Sequence, residues 1–186
     1  EPPARVRRAL EDMGPSFVKL GQILATRVDL FPAEWIAEFS KLQDAAPAVP
    51  FAELVQQLTE DLGESPEAIS RNLESKALAA ASLAQVHRAW LPDGTAVILK
   101  VRRPGIRPIV EADLRLLSRL ADIVESEAPE LRHYRPKEVV RQFASSLRRE
   151  LDFSAEGRSA ERIAANFASY PEIVVPRIHW PWTSER

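Results

Sequence analysis

In the first third of the chain, apolar positions recur every three or four residues. The segments are Ala4–Met13, Ser16–Arg27, Ala33–Gln43 and Phe51–Leu62, and this is the period of helices with one face turned to a core. Proline or glycine stands at each join. Gly14-Pro15 ends the first segment, and Pro15, Pro32 and Pro66 fall where the first turn of a helix accepts a residue without an N–H. Four or five short helices are predicted, the second with Phe17, Leu20, Ile23 and Leu24 as its core face.

Near Lys76 the pattern changes. Ala84–Trp90 and Ala96–Val101 flank Leu91-Pro92-Asp93-Gly94-Thr95, a turn-forming group with Asp-Gly at its centre, which predicts a β-hairpin. After Pro104-Gly105 the helical period returns through Glu111–Glu127, with Leu114, Leu117, Leu120, Ile123 and Val124 as one stripe. A second long helix is expected from Pro136 to about Ser169, and the β-branched run Ile173–Trp180 reads as a short strand. The change of pattern divides the chain into a helical part, 1–75, and a part with strands and long helices, 76–186.

Composition narrows the function classes. Of 186 residues, 45% are hydrophobic and 28% charged, a balance found in soluble globular proteins and not in disordered or fibrous ones. Lys and Arg total 25 against 27 Asp and Glu, so no excess of positive charge awaits a nucleic acid. Arg5, Arg7 and Arg8 could serve a DNA-binding helix pair, but Glu11 and Asp12 beside them argue against it. The absence of cysteine excludes a thiolate metal site, and the three histidines are scattered, so no metal ligands are assigned. The longest apolar stretch, Ala77–Ala84, is far short of the roughly 20 residues a spanning helix needs, and the acidic, proline-bearing start is unlike a signal peptide. A cytoplasmic or peripheral-membrane location is expected.

Lys100 lies near the end of the second hairpin strand. A lysine there either lays its stem along the sheet edge with its head in water, or grips an anion or carboxylate that offsets its desolvation. Strand, Asp-Gly turn, strand with lysine, then acidic helix is the order of a kinase-type N-terminal lobe, in which the lysine holds nucleotide phosphates and pairs with a helix glutamate. The six glycines contain no G-x-G-x-x-G, and Ala79-Ala80-Ala81-Ser82 stands in its place, so an ordinary protein kinase is a poor match.

Four groups of residues together resemble the UbiB family of atypical kinase-like proteins. They are Lys19-Leu20-Gly21-Gln22, Leu78–His87 with its alanines, Lys100-Val101-Arg102-Arg103-Pro104-Gly105, and Glu150-Leu151-Asp152-Phe153. In that family a K-x-G-Q motif, an alanine-rich loop, a strand lysine and an E-x-D motif occur in this order. The resemblance implies an α+β fold: a kinase-like N-terminal lobe of small antiparallel sheet and long helices, preceded by a helical extension and cut before the second lobe. It also implies binding of ATP or ADP with Mg²⁺, the metal ligands lying in that second lobe.

Site roles follow from the same resemblance. Lys100 and Glu156 would form the catalytic ion pair that orients phosphates, and Ala79, Ala80, Ala81 and Ser82 would cover them. Lys19 and Gln22, which share one helix face at i and i+3, would gate the pocket with Glu150 and Asp152. A regular helix would put Glu150 and Asp152 about 200° apart, and Arg148, Arg149 and Arg158 could simply pair with these acids. The family supports ubiquinone or other isoprenoid-lipid biosynthesis at membrane surfaces, so an isoprenoid lipid, a membrane surface and lipid-biosynthesis proteins are expected partners, with Phe17, Leu30, Phe31 and Trp35 as candidate contacts or core residues. The alternative is a non-catalytic module that binds lipid or protein. His87 is expected to be a structural hydrogen-bonder.

Overall fold

The computed structural model describes residues 1–43 and 46–184. The helices are α1 (Pro2–Met13), α2 (Pro15–Leu24), α3 (Ala33–Phe39), α4 (Phe51–Leu62), α5 (Pro66–Asn72), α6 (Ile106–Glu127), α7 (Pro136–Glu150) and α8 (Phe153–Asn166). The strands β1 (Ala79–Ala80), β2 (Ala84–Trp90) and β3 (Ala96–Arg102) form a small antiparallel sheet in the order β1-β2-β3. No described helix is long and apolar enough to cross a membrane. The chain divides into two compact units: residues 1–48, 79–84 and 105–144 in one, 49–78, 85–104 and 145–186 in the other.

The first unit is built on α1, α2, α3 and α6. Gly14, at φ 103°, ends α1 and lets Pro15 start α2 at once. The buried face of α2 is Ser16, Phe17, Val18 and Gly21, while Ile23, expected in the core, is exposed. Two small residues account for this rotation. Ser16 is fully buried because its hydroxyl donates to Asp113 Oδ2 on α6 at 2.6 Å. Gly21 lies so close to Leu42 and Leu10 that a Cβ there would collide with both side chains. Phe17 is thus a core residue and not a surface contact. Phe31, Trp35 and Phe39 stack on one another with ring centroids 5.4–6.0 Å apart, which core packing explains.

On α6 the buried stripe is Ile106, Val110, Leu114, Leu117 and Ala121. Leu120 and Ile123, expected in that stripe, face outward with Ile109 and Leu116. Ala121 takes the core position at that turn because the small side chain is the one whose spacing from Leu117 continues the buried row.

The second unit packs α4 and α5 against the β2–β3 hairpin. Leu54, Val55, Leu58, Ile69, Leu73, Ala89 and Val101 make its core. The hairpin turn is the expected one: Gly94 (φ 85°) donates to Leu91 O at 2.8 Å, and the Leu91 N–H donates to Thr95 O at 2.9 Å. The Thr95 N–H donates to Asp93 Oδ1, and this bond holds the Asp93 carboxyl below its ordinary range. A buried polar chain joins the sheet to the segments beside it. The Val49 N–H donates to Gln85 Oε1 at 2.7 Å, which leaves Gln85 Nε2 to donate to His87 Nε2 at 2.9 Å, so His87 Nδ1 carries the proton and donates to Glu74 O at 2.7 Å. His87 is the structural hydrogen-bonder its position suggests.

Two expected elements differ. The long helix after Pro136 is interrupted at Leu151-Asp152, where Asp152 adopts extended backbone (φ −103°, ψ 93°). Residues 173–179 form no strand; Val174 is 86% exposed, and the run ends in a 3₁₀ turn at Trp180–Trp182. Pro176 removes a ladder donor from this run, so β-branched composition alone does not make it a strand.

Substitution Gly21→Val should lower the stability of the folded chain by about 1–3 kcal/mol, read as an earlier urea midpoint. For His87, ¹⁵N NMR should report the Nδ1–H imidazole; an Nε2–H ring would contradict the Gln85 arrangement.

Candidate functional site: a strand–helix clasp at Lys100

Strand β3 alternates its side chains, so Lys100 and Arg102 leave the same face. Both reach the start of α8. Lys100 Nζ donates to Glu156 Oε2 at 2.7 Å and lies 4.8 Å from the centroid of the Phe153 ring. Arg102, nearly fully buried, donates from Nη1 to Leu151 O at 2.9 Å. One residue therefore grips the carbonyl just before α8, and the other grips the first turn of the helix. Phe153 and Glu156 share that turn at i and i+3.

The break between α7 and α8 makes this possible. Asp152 caps α8 by accepting from the Ala155 N–H at 3.0 Å, and its other oxygen lies 3.6 Å from Arg158. Leu151 and Phe153 on either side are buried, so the chain turns between two apolar anchors. The 200° separation expected of a regular helix does not apply here. An aspartate preceding an apolar residue, with Glu156 in the following turn, is an N-cap signal that the continuous apolar period masked.

Electrostatically the Lys100–Glu156 pair is a surface pair, with side chains 42% and 59% exposed. Such a pair contributes about 0–1 kcal/mol to stability. Its worth lies in geometry. An ammonium has three donors; the carboxylate takes one, and the exposed head keeps directions open to an anion's oxygens.

The remaining site residues divide between the two units. In the first unit, Gln22 donates to Leu42 O at 3.3 Å, so Gly21 and Gln22 together seat α2 on Leu42, with Lys19 one face-turn earlier. Also in that unit, Ala79 and Ala80 form β1, and the Ala81 N–H donates to Ala84 O at 2.8 Å, closing a tight turn in which Ser82 is buried. In the second unit, Glu150 ends α7 and Asp152 caps α8. Arg102 and Phe153 were given no role by sequence reasoning; the alternation that puts Arg102 on the face of Lys100 was the available signal for the first.

Residues 41–186 match the family model described as the ABC1 atypical kinase-like domain. The chain belongs to this family. It is 40% identical over 179 residues to "Probable protein kinase UbiB" of Pseudomonas aeruginosa, a match covering 96% of this chain and 34% of the relative. A second relative, "Uncharacterized protein sll0095" of Synechocystis, is 39% identical over 176 residues, covering 92% of this chain and 31% of that protein. The chain spans about a third of the length of these curated relatives. Among solved structures, the Rv3197–erythromycin complex from Mycobacterium tuberculosis aligns with TM-score 0.50 at 21% identity, covering 91% of this chain and 43% of that one. This likeness supports the α+β, kinase-like fold.

Replacing Asp152 by alanine should cost about 0.5–2 kcal/mol of stability, whereas asparagine, an equally good cap, should cost little. Urea unfolding of the two variants measures the difference, and equal losses would remove the cap from the account of α8.

Proposed function

We propose that this chain is the N-terminal part of a UbiB-like atypical kinase or ATPase that binds adenine nucleotide through Lys100 and Glu156. The observation that carries the reading is the strand lysine held at 2.7 Å by a helix glutamate while its head stays open to solvent. This is the arrangement that orients the α- and β-phosphates in kinase-type lobes. Glu156 keeps the ammonium aimed, and the Phe153 ring beneath it favours the cation. The alanine run Ala79–Ser82 would approach the phosphates by its backbone. Alanine lacks glycine's access to positive φ, so its grip would differ from that of a glycine-rich loop. Lys19 and Gln22 in the first unit, and Glu150 and Asp152 in the second, are proposed as gating residues on the family resemblance.

Magnesium would supply charge neutralisation at the phosphates when bound. By the family resemblance, this reading assigns the metal ligands to residues of a second lobe. The biological role proposed is support of ubiquinone or other isoprenoid-lipid biosynthesis, with membrane surfaces and lipid-biosynthesis proteins as partners.

A second reading, a non-catalytic module that binds lipid or protein, is favoured by one observation: α6 turns Ile109, Leu116, Leu120 and Ile123 outward along one line. Liposome flotation that ignores nucleotide and survives Lys100→Ala would support that reading.

Titration of ATP and ADP with Mg²⁺ into the full-length protein tests the first reading. Lys100→Ala should weaken binding by about tenfold or more, as expected for loss of a charged hydrogen bond worth roughly 1.5–3 kcal/mol. Unchanged affinity would overturn it.

A further inference from the structure

The residue after Glu156 is a buried glycine inside α8. Glycine in a helix interior costs about 1 kcal/mol relative to alanine, so its presence calls for a contact that a side chain would block. The contact is Trp180. A Cβ on Gly157 would lie 3.1 Å from Trp180 Cη2 and 3.4 Å from Ile178 Cγ2. One turn further along the same face of α8, Glu161 Oε1 accepts from Trp180 Nε1 at 2.6 Å. The indole thus spans Gly157 to Glu161, with its ring on the first and its N–H on the second.

The ring is presented by a closed turn and not by a loose tail. The Trp182 N–H donates to His179 O at 2.9 Å, the Thr183 N–H to Trp180 O at 3.0 Å, and the Thr183 hydroxyl to His179 O at 2.9 Å. Pro181 restricts the backbone between the two tryptophans.

We propose that Trp180 is a positioning residue that fixes the pitch and rotation of α8 so that Glu156 meets Lys100; its consequence for nucleotide binding rests on the phosphate reading above. Arg102 and Phe153 secure the beginning of α8, but a helix held at one end is free to tilt. Glu156 lies about 100° around the helix from Gly157, so a roll that closed the space left by the indole would swing the carboxylate away from the ammonium. Trp180 supplies the second point of support, and Gly157 is the seat that lets it come close.

The test reads the pair directly, without nucleotide. A lysine whose Nζ is hydrogen-bonded to a carboxylate and lies against an aromatic ring is less accessible to reductive-methylation reagents, and mass spectrometry resolves the rate at each lysine. In the full chain, Glu156→Gln should raise the Lys100 rate several-fold. Trp180→Ala should raise it to the same level, with no further rise in the double variant, and Trp180→Phe, which keeps a ring on Gly157, should restore most of the protection. Lys41, Lys76 and Lys137 should not change, whereas general loosening of the fold would move all of them. A wild-type Lys100 rate in Trp180→Ala, or no response to Glu156→Gln, overturns the proposal. Should circular dichroism show that Trp180→Ala does not fold, Glu161→Ala decides in its place: a raised Lys100 rate supports the positioning role and an unchanged one overturns it. Repeating the wild-type measurement with MgATP separates the two readings, since failure of nucleotide to protect Lys100 counts against the phosphate role alone.

Discussion

Two side chains on one face of a strand, Lys100 and Arg102, hold the first turn of α8, and the candidate chemistry depends on that clasp. The two bonds have different physical characters. Arg102 is buried and donates to a backbone carbonyl, so breaking that bond would leave a buried N–H and a buried carbonyl short of a partner, a costly outcome. Lys100 is exposed, and its pairing with Glu156 costs little to rearrange. A rigid anchor beside a soft ion pair keeps the start of the helix that carries the glutamate in place while the lysine head stays open to solvent.

The break between α7 and α8 serves the same end. A continuous helix would carry the E-x-D residues on diverging faces. With Asp152 used as a cap, α8 starts afresh, and Phe153 and Glu156 both come to Lys100. Small residues do comparable work elsewhere: Gly21 admits Leu42 beside α2, and Gly157 admits Trp180 beside α8. In each case the glycine serves close approach and not unusual backbone, since both lie within helices.

Much of this was legible in the chain. The helices before residue 72, the Asp-Gly hairpin and α6 follow from local period and turn chemistry, which need no partner to be read. The pairing of Lys100 with Glu156 was expected from the family resemblance, and the two side chains meet at 2.7 Å. What escaped was rotation and interruption. The buried face of α2 turned toward Ser16 and Gly21 and away from Ile23, because a hydroxyl met a carboxylate 97 residues away and a missing side chain admitted a leucine. Large apolar residues mark a candidate face, but small ones decide how near a neighbour can come.

By itself the sequence determined the helices before residue 72, the hairpin, α6 and the family, since these rest on periodicities, turn residues and motifs that can be read without a tertiary partner. Only the tertiary structure decided that Arg102 is buried, that Asp152 is a cap and that Trp180 lies on Gly157. The first and last depend on contacts between residues far apart in the chain, and the local Asp152 cap was hidden by the continuous apolar period; burial, unlike helix or turn preference, is a property of what comes to lie alongside.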